Sequence, residues 1–161
     1  MKWGPGQLLY IHIADKASEN MKELSKAELI VGKGIVGDRY FKGTGKYSDI
    51  PDIRDVTIIE KEVLDALREN QPPIQEKSII LEPHEHRRNL TTQGVPLNYL
   101  VNKQFKIGEV ILEGGRLNFP CKYLADLLKK PLLLPLYNRS GLNCKIIKGG
   151  IIRVNDVIEA I

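Results

Sequence analysis

Cysteine is scarce in this chain of 161 residues, which holds only Cys121 and Cys144. A disulfide framework needs more, so each thiol has to be read for its own chemistry. Long apolar runs are missing too: residues 132–134 and 146–147 fall far short of the ~20 residues that cross a bilayer. The opening MKWGPGQLLYIHIADKAS has no basic stretch leading into a long apolar core and a small-residue cleavage site. Secretion by that route is not expected, and the expectation is a reduced, cytoplasmic, soluble protein. Neither sign of charge dominates, since 24 Lys and Arg against 20 Asp and Glu leave +4, and aromatics make up only 6%. Nucleic-acid binding calls for a denser basic stripe with interleaved aromatics, so a small anion is the better expected partner. Gly and Pro, at 14 and 9, are close to average, which removes collagen-like and low-complexity order. One domain over 1–161 follows.

What is present is a series of short β-branched or alternating runs at 8–13, 27–31, 56–59, 78–81, 105–113, 145–148 and 151–160. Most are bounded by Gly, Pro, Asn or Asp. Many short strands with frequent turns predict a mainly β protein with a few short helices, its sheet closed into a barrel. Two segments break the pattern. In 60–70, Val63, Leu64 and Leu67 mark a helical face that Pro72-Pro73 stops. After Pro120, Leu124, Leu127 and Leu128 share a face, with Lys129 and Lys130 near the negative end of the helix dipole before Pro131.

Gly32, Gly34 and Gly37 spell G-x-G-x-x-G after an apolar strand, with Asp55 further on, as in a dinucleotide-binding fingerprint. That motif works by opening a helix whose N-terminus holds pyrophosphate. The residues that follow, DRYFKGTGKYSDIPD, carry two glycines and a proline and no helical period, so a glycine-rich turn between strands is expected instead.

The most polar cluster is His84-Glu85-His86-Arg87-Arg88-Asn89. In extended backbone His84, His86 and Arg88 would share one face, and Glu85, Arg87 and Asn89 the other. Two histidines and at most one carboxylate are an incomplete zinc or iron set, and the remaining histidine, His12, lies in an apolar strand. Two adjacent guanidiniums with an amide suit bidentate holding of phosphate, the plainer alternative being a solvated edge. Arg39 and Arg139 are further basic candidates near glycine-rich turns, where backbone nests bind phosphate. Pro120-Cys121 opens the second helix, where free backbone N–H groups favour a thiolate. Such a sulfur suits a nucleophile, a persulfide carrier or a soft-metal ligand, against the alternative of a small buried hydrophobe. No feature selects a histidine partner for it in a papain-like pair, and Cys144 lies within a strand.

An ordered series of motifs resembles the MOSC domain, named for the C-terminal part of molybdenum cofactor sulfurases. It comprises G-I-V-G-D-R-Y at 34–40, G-T-G-K-Y-S at 43–48 and R-D-V-T-I-I-E at 54–60. It continues with H-R-R-N-L-T-T-Q-G-V-P-L-N at 86–98, F-K-I-G-E-V-I-L-E-G at 105–114, Pro120-Cys121, R-S-G-L at 139–142 and G-G-I-I-R-V-N-D at 149–156. The resemblance implies a MOSC-type closed β-barrel. It implies that Cys121 ligates molybdenum through a bound molybdenum-pterin cofactor or carries sulfur as a persulfide, and that Arg87, Arg88 and Asn89 lie at the cofactor pocket. It further implies reduction of N-hydroxylated compounds with electrons from an external donor, or, without metal, acceptance of sulfur from a cysteine desulfurase. A partner is expected in either case, because the chain is the size of the MOSC domain alone. A non-catalytic binding module with a structural cysteine is the third reading. Relatives often carry an acidic residue just before Pro-Cys; Asn118-Phe119 stand there in this chain.

Overall fold

The computed structural model describes residues 2–161. In chain order its strands are β1 (Gly6–Ile13), β2 (Lys22–Leu24), β3 (Lys26–Ile30), β4 (Gly34–Ile35), β5 (Val56–Glu60), β6 (Leu90–Gln93), β7 (Gln104–Ile107), β8 (Val110–Leu117), β9 (Leu142–Lys148), β10 (Gly150–Arg153) and β11 (Val157–Ala160). Three short helices accompany them: α1 (Arg39–Lys42), α2 (Lys61–Arg68) and α3 (Lys122–Leu128). Seven strands follow the order β11-β7-β8-β9-β5-β6-β1, and β1 closes the ring on β11 through Gly6 with Ile158 and Gln7 with Val157. The barrel is therefore closed, with β2 hanging from β1 and a separate sheet formed by β10, β3 and β4.

Among the described strands only β5 and β6 form a parallel ladder, and a parallel pair needs a crossover, which α2 supplies. The same strand explains its own sequence. Val56 and Ile58 point into the barrel with Leu8, Phe105, Ile107 and Leu112, while Ile59 points outward into a second cluster with Leu64, Leu67, Leu124 and Leu136. A strand covered on both faces reads as a continuous apolar run rather than an alternation. The outer cluster is what holds α2 and α3 against the barrel, and α3 carries Cys121 at its start.

The mainly β reading and the closed barrel agree with the structure. Both helices form where the pattern placed them. The run at 105–113 is two strands, β7 and β8, parted by a turn in which Gly108 takes φ +55°. Likewise 151–160 is β10 and β11, separated by Asn155 at φ +78°. The run at 78–81 is not a strand: Ile79 and Leu81 are buried in the outer cluster, their apolarity being that of a plug under α2. Of the G-x-G-x-x-G glycines, Gly32 and Gly37 lie in the turns on either side of β4 and Gly34 opens that strand, and only the four-residue α1 follows, too short to hold a pyrophosphate. Among the described residues no helix is long and apolar enough to cross a membrane.

Candidate functional site

One end of the barrel holds a cavity of about 440 Å³. Its walls come mainly from α1, the loop between α1 and β5, the residues just before β6, and the passage from β8 into α3, with Ala17, Thr57 of β5 and Asn143 of β9 completing them. Asp38 fixes the first, capping α1 through Tyr40 N–H at 3.2 Å and pairing with Arg39 at 2.9 Å in a buried ion pair. Arg39 in turn donates to the Arg87 carbonyl at 2.9 Å, which ties α1 to the arginine segment.

The arginine segment is not extended. Residues 83–86 turn, and Arg87 sits in the left-handed region at φ +64°, so the expected alternation of faces fails. His84 is exposed, His86 is buried, and both Arg87 and Arg88 reach the cavity. Among the described residues, no group of three or more His, Cys, Asp or Glu is placed to hold a metal ion.

Arg88 forms the cavity floor with 5% of its surface exposed. It donates to the Ser140 carbonyl at 3.0 Å, Ser140 Oγ at 2.6 Å, the His86 carbonyl at 2.7 Å and Asn118 Oδ1 at 2.8 Å. Each of these acceptors is neutral. Burial lowers its pKa to about 10; charge at Cys121 acts the other way, and Arg39 acts in the same direction as burial. Asn118 thus fills with an amide the place where a carboxylate would have neutralised this guanidinium. Arg87 donates through Nη1 to the Glu19 carbonyl at 2.6 Å, while its buried Nη2 has no partner among the described residues, and burial followed by Arg39 lowers its pKa. An unpaired buried donor of this kind favours an incoming acceptor.

Cys121 is the N-cap of α3, in extended conformation at φ −128° and ψ +127°, and is half-buried. Its sulfur lies 3.0 Å from the Tyr47 hydroxyl. Burial, followed by the contact with Cys121, pushes the Tyr47 phenol up to about 12, so it keeps its proton at neutral pH, and either the hydroxyl or the thiol can donate in this contact. Cys144 is the opposite case, wholly buried inside the barrel, where desolvation pushes its thiol pKa far up.

Of the residues singled out from sequence, the cavity gathers Cys121, Arg87, Arg88 and Arg39. Asn89 and Arg139 lie outside its lining. Asn89 is fully buried, accepting from Thr57 N–H at 3.2 Å and Thr57 Oγ1 at 3.1 Å and donating to the His12 carbonyl at 3.1 Å, so it stitches β5 to β1. Arg139 donates to the Pro135 and Gln71 carbonyls, each at 2.6 Å, and braces the chain after α3. Sequence reasoning assigned no role to Tyr47, Asp52, Arg54 or Arg116, and marked Asn118 only as standing where relatives often carry an acidic residue. Only the density of charge in 46–54 hinted at the first three.

Seven basic side chains line the cavity: Arg39, Lys46, Arg54, Arg87, Arg88, Arg116 and Lys122. Asp52 opposes them within it, while Asp38 and Asp126 pair with Arg39 and Lys122 from outside the lining. The excess is four, equal to the formal net charge of the whole chain. A cleft with one sign of charge concentrates ligands of the other sign.

A model of the MOSC domain matches residues 47–159. The fold is similar to that of the YuaD protein from Bacillus subtilis, 18% identical, with a TM-score of 0.79 over 99% of this chain and 97% of that one. YiiM from Geobacillus stearothermophilus is 12% identical with a TM-score of 0.68, over 97% of this chain and 75% of that one. YiiM from Escherichia coli is 16% identical with a TM-score of 0.66, over 100% of this chain and 70% of that one. No match was found among curated proteins.

Proposed function

Because the chain belongs to the MOSC domain family, which is associated with binding the molybdenum cofactor, we propose that its cavity binds a molybdenum-pterin cofactor or a closely related sulfur-bearing ligand. The observation that carries this reading is one cavity holding a half-buried thiol beside two guanidiniums with no carboxylate partner. The residues suit such a group on three counts. A thiolate is a soft ligand matched to molybdenum. The unpaired Nη2 of Arg87 and the uncompensated charge of Arg88 offer what an anionic ligand needs. The volume, about 440 Å³, is that of an ordinary cofactor cleft.

Cys121 Sγ would be the metal ligand, Arg87 and Arg88 would hold the anionic portion, and Arg39 would keep Arg87 in place through its carbonyl. When bound, the cofactor supplies a metal centre able to exchange electrons and oxygen with a substrate, with N-hydroxylated compounds as the proposed class. Tyr47 holds a proton on the sulfur side of the cavity, and the exposed apolar side chains of Phe119 and Ile50 form part of its lining. An external electron-transfer protein would complete the cycle.

Expression in a host that makes the cofactor, followed by molybdenum and pterin analysis, tests the reading. Wild type should hold both, and Cys121→Ser should lose molybdenum. No molybdenum in wild type, or equal amounts in the two, would overturn it. One added sulfur on Cys121 after incubation with a cysteine desulfurase and cysteine, in protein free of metal, would favour a persulfide carrier instead.

A further inference from the structure

The cations of the cavity form two sets that differ in depth. Arg39 and Arg88 are 4% and 5% exposed and belong to the floor. Lys46, Arg54 and Arg116 belong to the mouth, on the loop after α1 and the end of β8. Asp52 is the only carboxylate lining the cavity among the described residues, and it lies between Arg116, which it engages as a fork, and Arg54 at 3.5 Å. The two arginines share that single charge, and among the described residues Lys46 has no carboxylate within ion-pair distance, resting over the Tyr123 ring at 5.5 Å. The mouth therefore keeps two positive charges beyond Asp52.

These guanidiniums face inward. The Arg54 side chain is 14% exposed and packs against the Tyr40 ring at 5.4 Å; the Arg116 side chain is 32% exposed and lies 5.1 Å from the Phe119 ring. Arg54 also donates through Nη1 to the Tyr47 and Ile50 carbonyls, each at 2.6 Å, and Arg116 through Nη1 to the Leu117 carbonyl at 2.9 Å, so each cation is held in place by neutral acceptors and an aromatic face while only Asp52 offsets their charge. A planar guanidinium fixed in this way suits a planar anion. A protein partner would instead find most of this charge recessed.

We propose that the mouth of the cavity selects small substrates carrying a carboxylate or phosphate group, which Arg116, Arg54 and Lys46 receive while the rest of the molecule extends toward Cys121. The proposal rests on the reading of the floor as the cofactor site, and it adds the chemical class of what enters above it. Asp52 serves as the internal anion that keeps Arg116 and Arg54 apart and oriented before the substrate arrives.

The test uses the full chain from the cofactor-making host and two probes of the same shape, 4-fluorobenzoate and 4-fluorobenzamide, with binding followed by fluorine NMR. Wild type should bind the acid at least about tenfold more tightly than the amide, the scale of one charge–charge interaction near a protein surface. The double variant Lys46→Gln, Arg116→Gln should lose that preference while its molybdenum content and amide affinity stay as in wild type. Asp52→Asn should widen the preference. Equal binding of the two probes to wild type would overturn the proposal. So would a preference that survives in the mouth variant and disappears in Arg87→Gln, which would put the anion on the floor. Loss of molybdenum from the mouth variant would assign these residues to the cofactor, and tight binding of poly-glutamate without binding of the acid would assign them to an acidic protein; either result overturns it. If wild type carries no molybdenum, the cofactor reading fails on that measurement, and the probe ratios still decide the charge of the mouth.

Discussion

The hydroxyl of Tyr47 lies 3.0 Å from the sulfur of Cys121 and joins the loop after α1 to the N-cap of α3 across 74 positions of sequence. With the Asp52–Arg116 fork and the bond from Asn143 to the Ile53 carbonyl, it is one of the few polar ties between that loop and the far wall of the cavity. Tyr47→Phe removes one partly buried hydrogen bond and should lower the unfolding free energy by about 1 kcal/mol. Urea denaturation measures it. An unchanged midpoint would mean that the contact contributes nothing in solution.

The two thiols should behave differently. Cys121 is half-buried at the cavity, whereas Cys144 is sealed among the inner strands. A disulfide reagent added to native, metal-free protein should titrate one thiol, and two after denaturation. Cys121→Ser should bring the native count to zero. Rapid reaction of both thiols in the native state would contradict the sealed barrel.

Arg88→Lys should cost about 2–4 kcal/mol of stability. The guanidinium reaches Ser140, His86 and Asn118 with four hydrogen bonds, and a single ammonium has three donors and none of the planar fork. Thermal or chemical denaturation gives the size of the loss. Pterin retention in the same variant should fall, since the substitution moves the charge away from the cavity floor. A variant as stable as wild type would show that these four bonds do not hold the floor.

Stability should decline on mild acidification. His86 is fully buried, its Nδ1 accepting the Arg88 N–H at 2.9 Å, which leaves Nε2 to donate to Thr91 Oγ1 at 2.8 Å in a neutral ring. Burial first, then the charge of Arg88, holds its pKa well below 6.5. The unfolded chain takes up a proton near pH 6.5 and the folded chain does not. The stabilisation is therefore complete above pH 6.5 and is lost as pH falls toward the depressed folded value, at about 1.4 kcal/mol per pH unit. His12, lowered chiefly by burial, acts in the same sense. Denaturation at pH 7 and pH 5.5 should reveal the slope, and His86→Gln should flatten it. An equal slope in the variant would remove His86 as its source.

Gly141→Ala should prevent the barrel from closing properly. Gly141 has φ +103°, and a Cβ there would overlap the Ile58 carbonyl of β5, the partner strand of β9. Backbone cannot yield as a side-chain tip can, so a loss of several kcal/mol or insoluble expression is expected. Soluble protein with the wild-type denaturation midpoint would overturn this account.

Sequence by itself determined the class of fold, both helices and the position of Cys121 at a helix start, and it picked out by donor type the two adjacent arginines, Arg87 and Arg88, that reach the cavity. These are local properties: short β-branched runs, a 3.6-residue period, a proline before a first turn, and the donor geometry of guanidinium. It misjudged 78–81, because an apolar run looks alike whether it pairs as a strand or plugs the space beneath a helix. It read the arginine segment as extended, because nothing in the residue order announces the left-handed turn at Arg87 that sends both guanidiniums the same way. Asn89 and Arg139, plausible by type, serve the scaffold instead. Only the tertiary structure decided which charges share the cavity and which remain uncompensated there. Closing the ring of strands brings α1, its loop, the arginine segment and α3 to one end, and proximity across that closure is set by strand register, which no short stretch of sequence encodes.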